Sequence, residues 1–190
     1  TGEFFLKMYK ATGNSTYLDY AKGAAQWMMA MSYYEYGGCF IPYNPPGKYG
    51  SQAAHGIGPC RESYTVSFLL HLYQETGDVT YLPYVKGMAQ WLTADVHCKA
   101  ENGGYKWLCH YPYEHYFPIK TTAGVALYFY EIYQALGNET YLHYANGGVQ
   151  WILSQAVVVD NDKVKWPDRP DKPDYYVTVG DKLLHGLSVV

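Results

Sequence analysis

Apolar residues recur along this chain with two alternating rhythms. In three stretches they fall at helical spacing, as in Phe68, Leu69, Leu72 and Tyr73, and predict an apolar first helix. Each stretch ends in Gly followed by Asn or Asp: Gly13-Asn14, Gly77-Asp78 and Gly137-Asn138. Glycine there suits the left-handed residue that closes a helix, and the next side chain can cap a second helix by accepting from its free N–H groups. That second helix opens on Tyr17-Leu18, Tyr81-Leu82 and Tyr141-Leu142, and carries Gly23, Gln26 and Trp27, repeated as Gly87, Gln90, Trp91 and Gly147, Gln150, Trp151. Tyr17, Tyr20, Ala24, Trp27 and Met28 mark its expected buried face. Glycine in mid-helix costs about 1 kcal/mol relative to alanine, so its recurrence points to a close backbone approach between helices. Pro83 falls in a first turn, where its missing N–H is tolerated.

Between these pairs the rhythm shortens. Val96 to Cys109 reads as a β-hairpin turning at Gly103-Gly104, Tyr33 to Tyr43 as another around Gly37-Gly38, and Val157 to Trp166 as a third around Asp160 to Lys163. Beyond Trp166, prolines 167, 170 and 173 favour an extended, solvated segment. The expected fold is mainly α: tandem α-hairpin repeats, a slice of an α/α-toroid or solenoid, with short β-hairpins in the connecting loops. It reads as a single repeat domain, residues 1–190, of three units at about 1–62, 63–122 and 123–190.

Composition narrows the function only by exclusion. With 48% hydrophobic and 16% charged residues the chain is expected to fold. A net charge of −3 gives no reason to bind nucleic acid or an anionic membrane, and no apolar run is long enough to span a bilayer. Its 23 tyrosines suit half-buried positions, interfaces and sugar-stacking platforms. The opening Thr1-Gly2-Glu3-Phe4-Phe5 lacks the features of a signal peptide and reads as the middle of something: a leader removed, or a longer chain. Leu184-His185-Gly186-Leu187-Ser188 reads as the opening of another unit, and neither end looks like a polar cap, so further repeats or head-to-tail assembly are expected.

The pattern of an apolar helix, Tyr, Thr-Gly-Asn, Thr-Tyr-Leu, Tyr-Ala and Trp, as at Tyr9 to Trp27, resembles the lanthionine synthetase C-like proteins and related α/α-toroid enzymes. The resemblance covers all three hairpins, about half of a closed toroid. It implies repeat units that open with His-Gly, and a zinc held by one Cys and an adjacent Cys-His pair that activates a thiol. His185-Gly186 and His55-Gly56 match the opening. Leu184 stands where the ligand Cys belongs, Ala54 precedes His55, Lys120-Thr121 fills the aligned place in the third unit, and Cys109-His110 comes a loop too early and lacks the following Gly. The family's zinc site is not reproduced.

Four cysteines are expected in loops. A turn at Gly103-Gly104 sets Cys98 opposite Cys109, which predicts a cross-strand disulfide, with Cys39 and Cys60 as the other pair. Cysteines paired in this way fit an oxidising compartment. The competing reading is a metal site from Cys60, Cys98, Cys109 and His110. Asn14-Ser15-Thr16 and Asn138-Glu139-Thr140 are N-glycosylation sequons, although Asp78 does the same capping work without one. His55, His185, Glu62, Asp95, Asp181 and the pair His110 and His115 are the candidates for acid–base chemistry on a sugar; a loop charge or a lone histidine also has the plainer reading of solvation or packing. Asp160, Asp162, Asp168, Asp171 and Asp174 could hold calcium but lack an EF-hand spacing. No cofactor is implied. The leading expectation is an extracellular or cell-surface structural repeat (glyco)protein that associates with copies of itself through its open ends. The alternative is a lanthionine-synthetase-C-like or carbohydrate-active toroid enzyme. Glycans are possible partners under either.

Overall fold

A computed structural model of the chain describes residues 2–41, 59–109, 116–160, 163–169 and 172–176. Three helical hairpins follow one another: α1 (Gly2–Thr12) with α2 (Ser15–Ala30), α3 (Pro59–Thr76) with α4 (Leu82–Thr93), and α5 (Ile119–Leu136) with α6 (Glu139–Ser154). The expected turn chemistry is present in each. Gly13, Gly77 and Gly137 adopt φ of 70°, 71° and 69°, the left-handed region that glycine enters without a Cβ penalty. Asn14, Asp78 and Asn138 each accept from the backbone N–H two residues on, at 3.0 Å. Asp78 caps a 3-10 turn, Val79–Tyr81, that leads into α4, with Pro83 at its start.

The first helices pack on one another, α3 against α5 and α1 against α3, and each second helix packs on its own first helix. The core lies between them. Leu69, Leu72, Val85, Met88, Phe129 and Ile132 are fully buried, each contributing roughly 1.5–3 kcal/mol by leaving water. Two polar groups in this core are paired: Trp107 Nε1–H donates to the Leu92 carbonyl at 2.9 Å, and the Tyr128 hydroxyl to the Val85 carbonyl at 2.7 Å.

The connecting hairpins explain the mid-helix glycines. β1 (Tyr33–Glu35) pairs antiparallel with β2 (Gly38–Phe40), and β3 (Cys98–Glu101) with β4 (Gly104–Trp107). β2 lies on α4 and β4 on α6, so each hairpin docks on the second helix of the following unit. The expected close approach is therefore strand to helix at two of the glycines: a Cβ on Gly87 would meet Cys39, and one on Gly147 the Tyr105 ring. Gly148, the next residue, faces a neighbouring helix, at Ala126. Both hairpins close on two left-handed residues, Tyr36-Gly37 and Asn102-Gly103, one position earlier than the Gly-Gly turns expected from sequence.

That shift corrects the disulfide. With the turn at Asn102-Gly103, Cys98 faces Trp107 and not Cys109, and Cys39, Cys98 and Cys109 are buried thiols outside any disulfide. The expected Cys39–Cys60 pair is not formed either, since Cys39 is a free thiol. Cys60 lies in the first turn of α3 and not in a loop. A second correction concerns α2, whose buried residues are Ala21 and Ala25, while Tyr20 and Trp27 of the expected buried face are 56% and 54% exposed. A third concerns the C-terminal region. β5 (Val157–Asp160) pairs with β6 (Lys163–Lys165) as expected, but the proline-rich stretch forms a further hairpin, β7 (Pro167–Arg169) with β8 (Lys172–Tyr176).

Candidate functional site

The first helices carry one polar stripe each, and the repeat superimposes these stripes. Counting from Tyr9, Tyr73 and Tyr133, the residues two positions earlier are Lys7, His71 and Glu131. Glu3 and Ser67 stand one turn further back at equivalent places on α1 and α3. In the fold these side chains meet across three helices. His71 Nδ1 lies 3.1 Å from Glu3 Oε2, and its Nε2 is 3.9 Å from Glu131 Oε2. The Ser67 hydroxyl donates to the same Glu131 oxygen at 2.8 Å. Lys7 and Lys10 add ion pairs to Glu3 and Glu75, at 3.6 and 3.3 Å. The side chains of Glu3, His71 and Glu131 are 35%, 30% and 25% exposed, so the group is half-buried yet reachable from solvent.

The two carboxylates are driven in opposite directions. The hydrogen bond from His71 holds Glu3 below the usual carboxylate range and, from the other side, raises His71 above the usual imidazole value. Burial pushes Glu131 up, against the lowering effects of the Ser67 hydrogen bond and the His71 charge. One acid that tends to keep its proton therefore stands on the same wall as one that tends to be ionised, an arrangement suited to acid–base work. The Glu3–His71 pair has a pH signature. His71's contribution is full below its ordinary value near 6.5 and is lost as pH rises through the raised one. Glu3's contribution is full above its ordinary value near 4.5 and is lost as pH falls through the depressed one. At this exposure the pair is worth about 1 kcal/mol or less. Thermal melts should show His71→Phe least stable relative to the parent between pH 5 and 6.5, with the gap narrowing as pH rises through the raised imidazole value; a gap independent of pH would contradict the pairing.

The sequence candidates lie elsewhere. His55, His110, His115, Asp162, Asp171, Asp181 and His185 fall outside the described residues, as do the side chains of Cys60 and Glu62. Asp95 is exposed between α4 and β3, away from the polar wall. Asp160, Asp168 and Asp174 lie in three different strands, β5, β7 and β8. Among the described residues no three His, Cys, Asp or Glu side chains gather to hold a metal. Burial raises the Cys39 and Cys98 thiols to about 11 and about 12, which suits inert packing groups and not ligands. Asn14 and Asn138 are exposed and cap through Oδ1, which leaves the side-chain nitrogen of each sequon directed elsewhere. No helix among the described residues is long and apolar enough to cross a membrane. The Glu3–His71–Glu131 group escaped the sequence reading because its members lie on three separate helices. The signal that could have found it is the superimposed position Lys7, His71, Glu131, polar in otherwise apolar helices.

A scan against protein-family models and a search of curated proteins gave no match. Solved structures do match. A glycoside hydrolase family 76 mannosidase from Bacteroides thetaiotaomicron superimposes with a TM-score of 0.70 at 17% identity, over 92% of this chain and 47% of that one. A second family 76 glycoside hydrolase, from a bovine strain of the same species, gives 0.64 at 14% identity over 93% of this chain and 37% of its own. An inactive α-1,6-mannanase variant of Salegentibacter, with two consecutive aspartates changed to asparagine and α-1,6-mannotriose bound, gives 0.59 at 18% identity over 80% of this chain and 44% of its own. This chain thus spans about half the length of these enzymes or less. The family-level resemblance to lanthionine synthetase C is corrected: the Gly turn, cap and Tyr/Trp pattern encodes the helical hairpin, not the zinc chemistry, and the matching structures are toroids of another family. The fold is that of an α/α-toroid.

Proposed function

We propose that this chain is part of a carbohydrate-active α/α-toroid enzyme that cleaves an α-mannan-type polysaccharide, with the Glu3–His71–Glu131 wall supplying its acid–base groups. The observation that carries this reading is the superposition of 92% of the chain on a family 76 mannosidase, which supports the carbohydrate-active alternative over the self-associating structural reading. Low identity makes the likeness one of fold, so the chemistry has to be sought in this chain's own residues. No two aspartates are adjacent in the sequence, unlike the pair replaced in the inactive mannanase variant. The carboxylates that this chain places together are glutamates. Hydrolysis of a glycosidic bond needs one acid to protonate the leaving oxygen and one carboxylate to act as base or nucleophile. Glu131, raised by burial, fits the first role, and Glu3, kept ionised by His71, fits the second. His71 is then a positioning residue between them. A mannan too large to cross a membrane would be met outside the cell, which is compatible with the extracellular location expected from the sequence.

Reducing-sugar release from α-1,6-mannan by the purified chain tests the proposal. Activity in the parent should fall by about two orders of magnitude in Glu131→Gln, with KM little changed and the mannan still bound. Equal activity in parent and Glu131→Gln would remove the glutamate assignment. Neither hydrolysis nor binding of mannan by the parent would remove the function itself.

A further inference from the structure

The three second helices carry the same side chains at the same places, and two of them are covered. On α4, β2 presses so close that a Cβ on Gly38 would overlap the Gly87 carbonyl and the Trp91 backbone nitrogen, and Trp91 is 0% exposed. On α6, β4 repeats the contact: a Cβ on Gly104 would overlap the Gly147 carbonyl and approach the Trp151 nitrogen, and Trp151 is 1% exposed. On α2 the equivalent residues are Gly23 and Trp27. Among the described residues nothing lies within 4 Å of a Cβ built on Gly23, and Trp27 is 54% exposed. Tyr20, equivalent to Tyr84 and to the Tyr144 whose ring packs at a tilt on Tyr105, is 56% exposed.

We infer that the Tyr20–Gly23–Trp27 face of α2 is a socket for a β-hairpin, and that its occupant is the hairpin of a preceding unit of the same toroid, bearing a Glu-x-Gly-Gly turn. The filled sockets define this chemistry. Both docked hairpins have that sequence, at Glu35–Gly38 and Glu101–Gly104. The second glycine opens the second strand, where only a residue without Cβ fits against the helix backbone. The glutamate ends the first strand in both, and on α6 Glu101 also accepts from Trp151 Nε1 at 2.9 Å, a bond that Trp91 Nε1 does not make on α4. Topology identifies the source: the hairpin of one unit covers the second helix of the next, twice in succession. A second copy of this chain is a poor occupant. Its first two hairpins are committed to α4 and α6, and in β5–β6 the place opposite Asp160 is taken by Lys163, where the docked hairpins have glycine.

A backbone-cyclised peptide of residues 98–108, which carries Glu-Asn-Gly-Gly, is the probe, titrated into the 190-residue chain. The expected result is saturable binding with a blue shift of Trp27 emission, absent in Trp27→Phe. The affinity should fall at least tenfold for the same peptide with Gly104→Ala, and at least tenfold for the chain carrying Gly23→Ala, which itself remains folded because its new methyl meets nothing. No binding at millimolar peptide, or equal binding by the alanine peptide, overturns the socket. Light scattering that reveals a dimer of the chain alone, dissolved by Gly23→Ala, overturns the assignment of the occupant in favour of a second copy.

Discussion

Replacing Gly104 by alanine is expected to lower the stability of the chain by about 3 kcal/mol, at the upper end of overpacking costs. The added methyl would overlap the Gly147 carbonyl oxygen and crowd the Trp151 backbone nitrogen. Neither can rotate away as a side chain would, since both belong to the middle of α6. The hairpin must lift instead, loosening Tyr105 from Tyr144 and Glu101 from the Trp151 indole. Gly23→Ala provides the control. It changes the same residue type at a helical site with open space around it, and should stabilise by about 0.5–1 kcal/mol through helix propensity alone. Urea denaturation of the two variants beside the parent measures both. A Gly104→Ala midpoint equal to the parent's would mean that the hairpin is not held against the helix, and the docking scheme would fall with it.

The contrast between these two glycines shows what the sequence could and could not reveal. The helix pairs were legible because their punctuation is local: a left-handed glycine and an Asn or Asp cap act within a few residues. The hairpins were legible in kind, but their register slipped by one position. Tyr36 and Asn102 adopt φ of 51° and 52°, so a non-glycine residue fills half of each turn where Gly-Gly looked the better fit. That single slip produced the false Cys98–Cys109 pairing. The burial of α2 was misjudged for a different reason. Superimposed repeats have equivalent sequences but not equivalent neighbours, and Trp27 shares its pattern with Trp91 and Trp151 without sharing their cover. The polar wall was missed because Glu3, His71 and Glu131 are far apart in sequence and meet only when the first helices are side by side.

The second large effect is an acid sensitivity located at His97. This residue joins α4 to β3: its N–H donates to the Ala94 carbonyl at 2.9 Å, and its carbonyl accepts from Leu108 at 3.0 Å. Its ring lies 3.7 Å from that of Trp91 and meets Tyr36 edge-on at 5.5 Å. Thus it sits where the first hairpin, α4 and the second hairpin converge. Burial lowers its pKa from 6.5 to about 4, so the fold holds it neutral where the unfolded chain would protonate it. The sign follows: this contribution is fully present above pH 6.5 and is lost as pH falls towards 4, amounting to about 3 kcal/mol across the window at 1.36 kcal/mol per unit. His71 adds little slope through most of this window: its raised value keeps it protonated in the fold, and below its ordinary 6.5 it is increasingly protonated in the unfolded chain as well. Glu131 contributes the opposite slope, its proton being favoured by folding, so the parent's net curve is shallower than His97 alone would make it. The measure is therefore the difference between parent and His97→Phe, which keeps an aromatic ring against Trp91 and cannot titrate. The variant should gain on the parent steadily from pH 6.5 to 4 and show no such trend above pH 7. A constant difference across that range would show that His97 is not held neutral by the junction of the two hairpins.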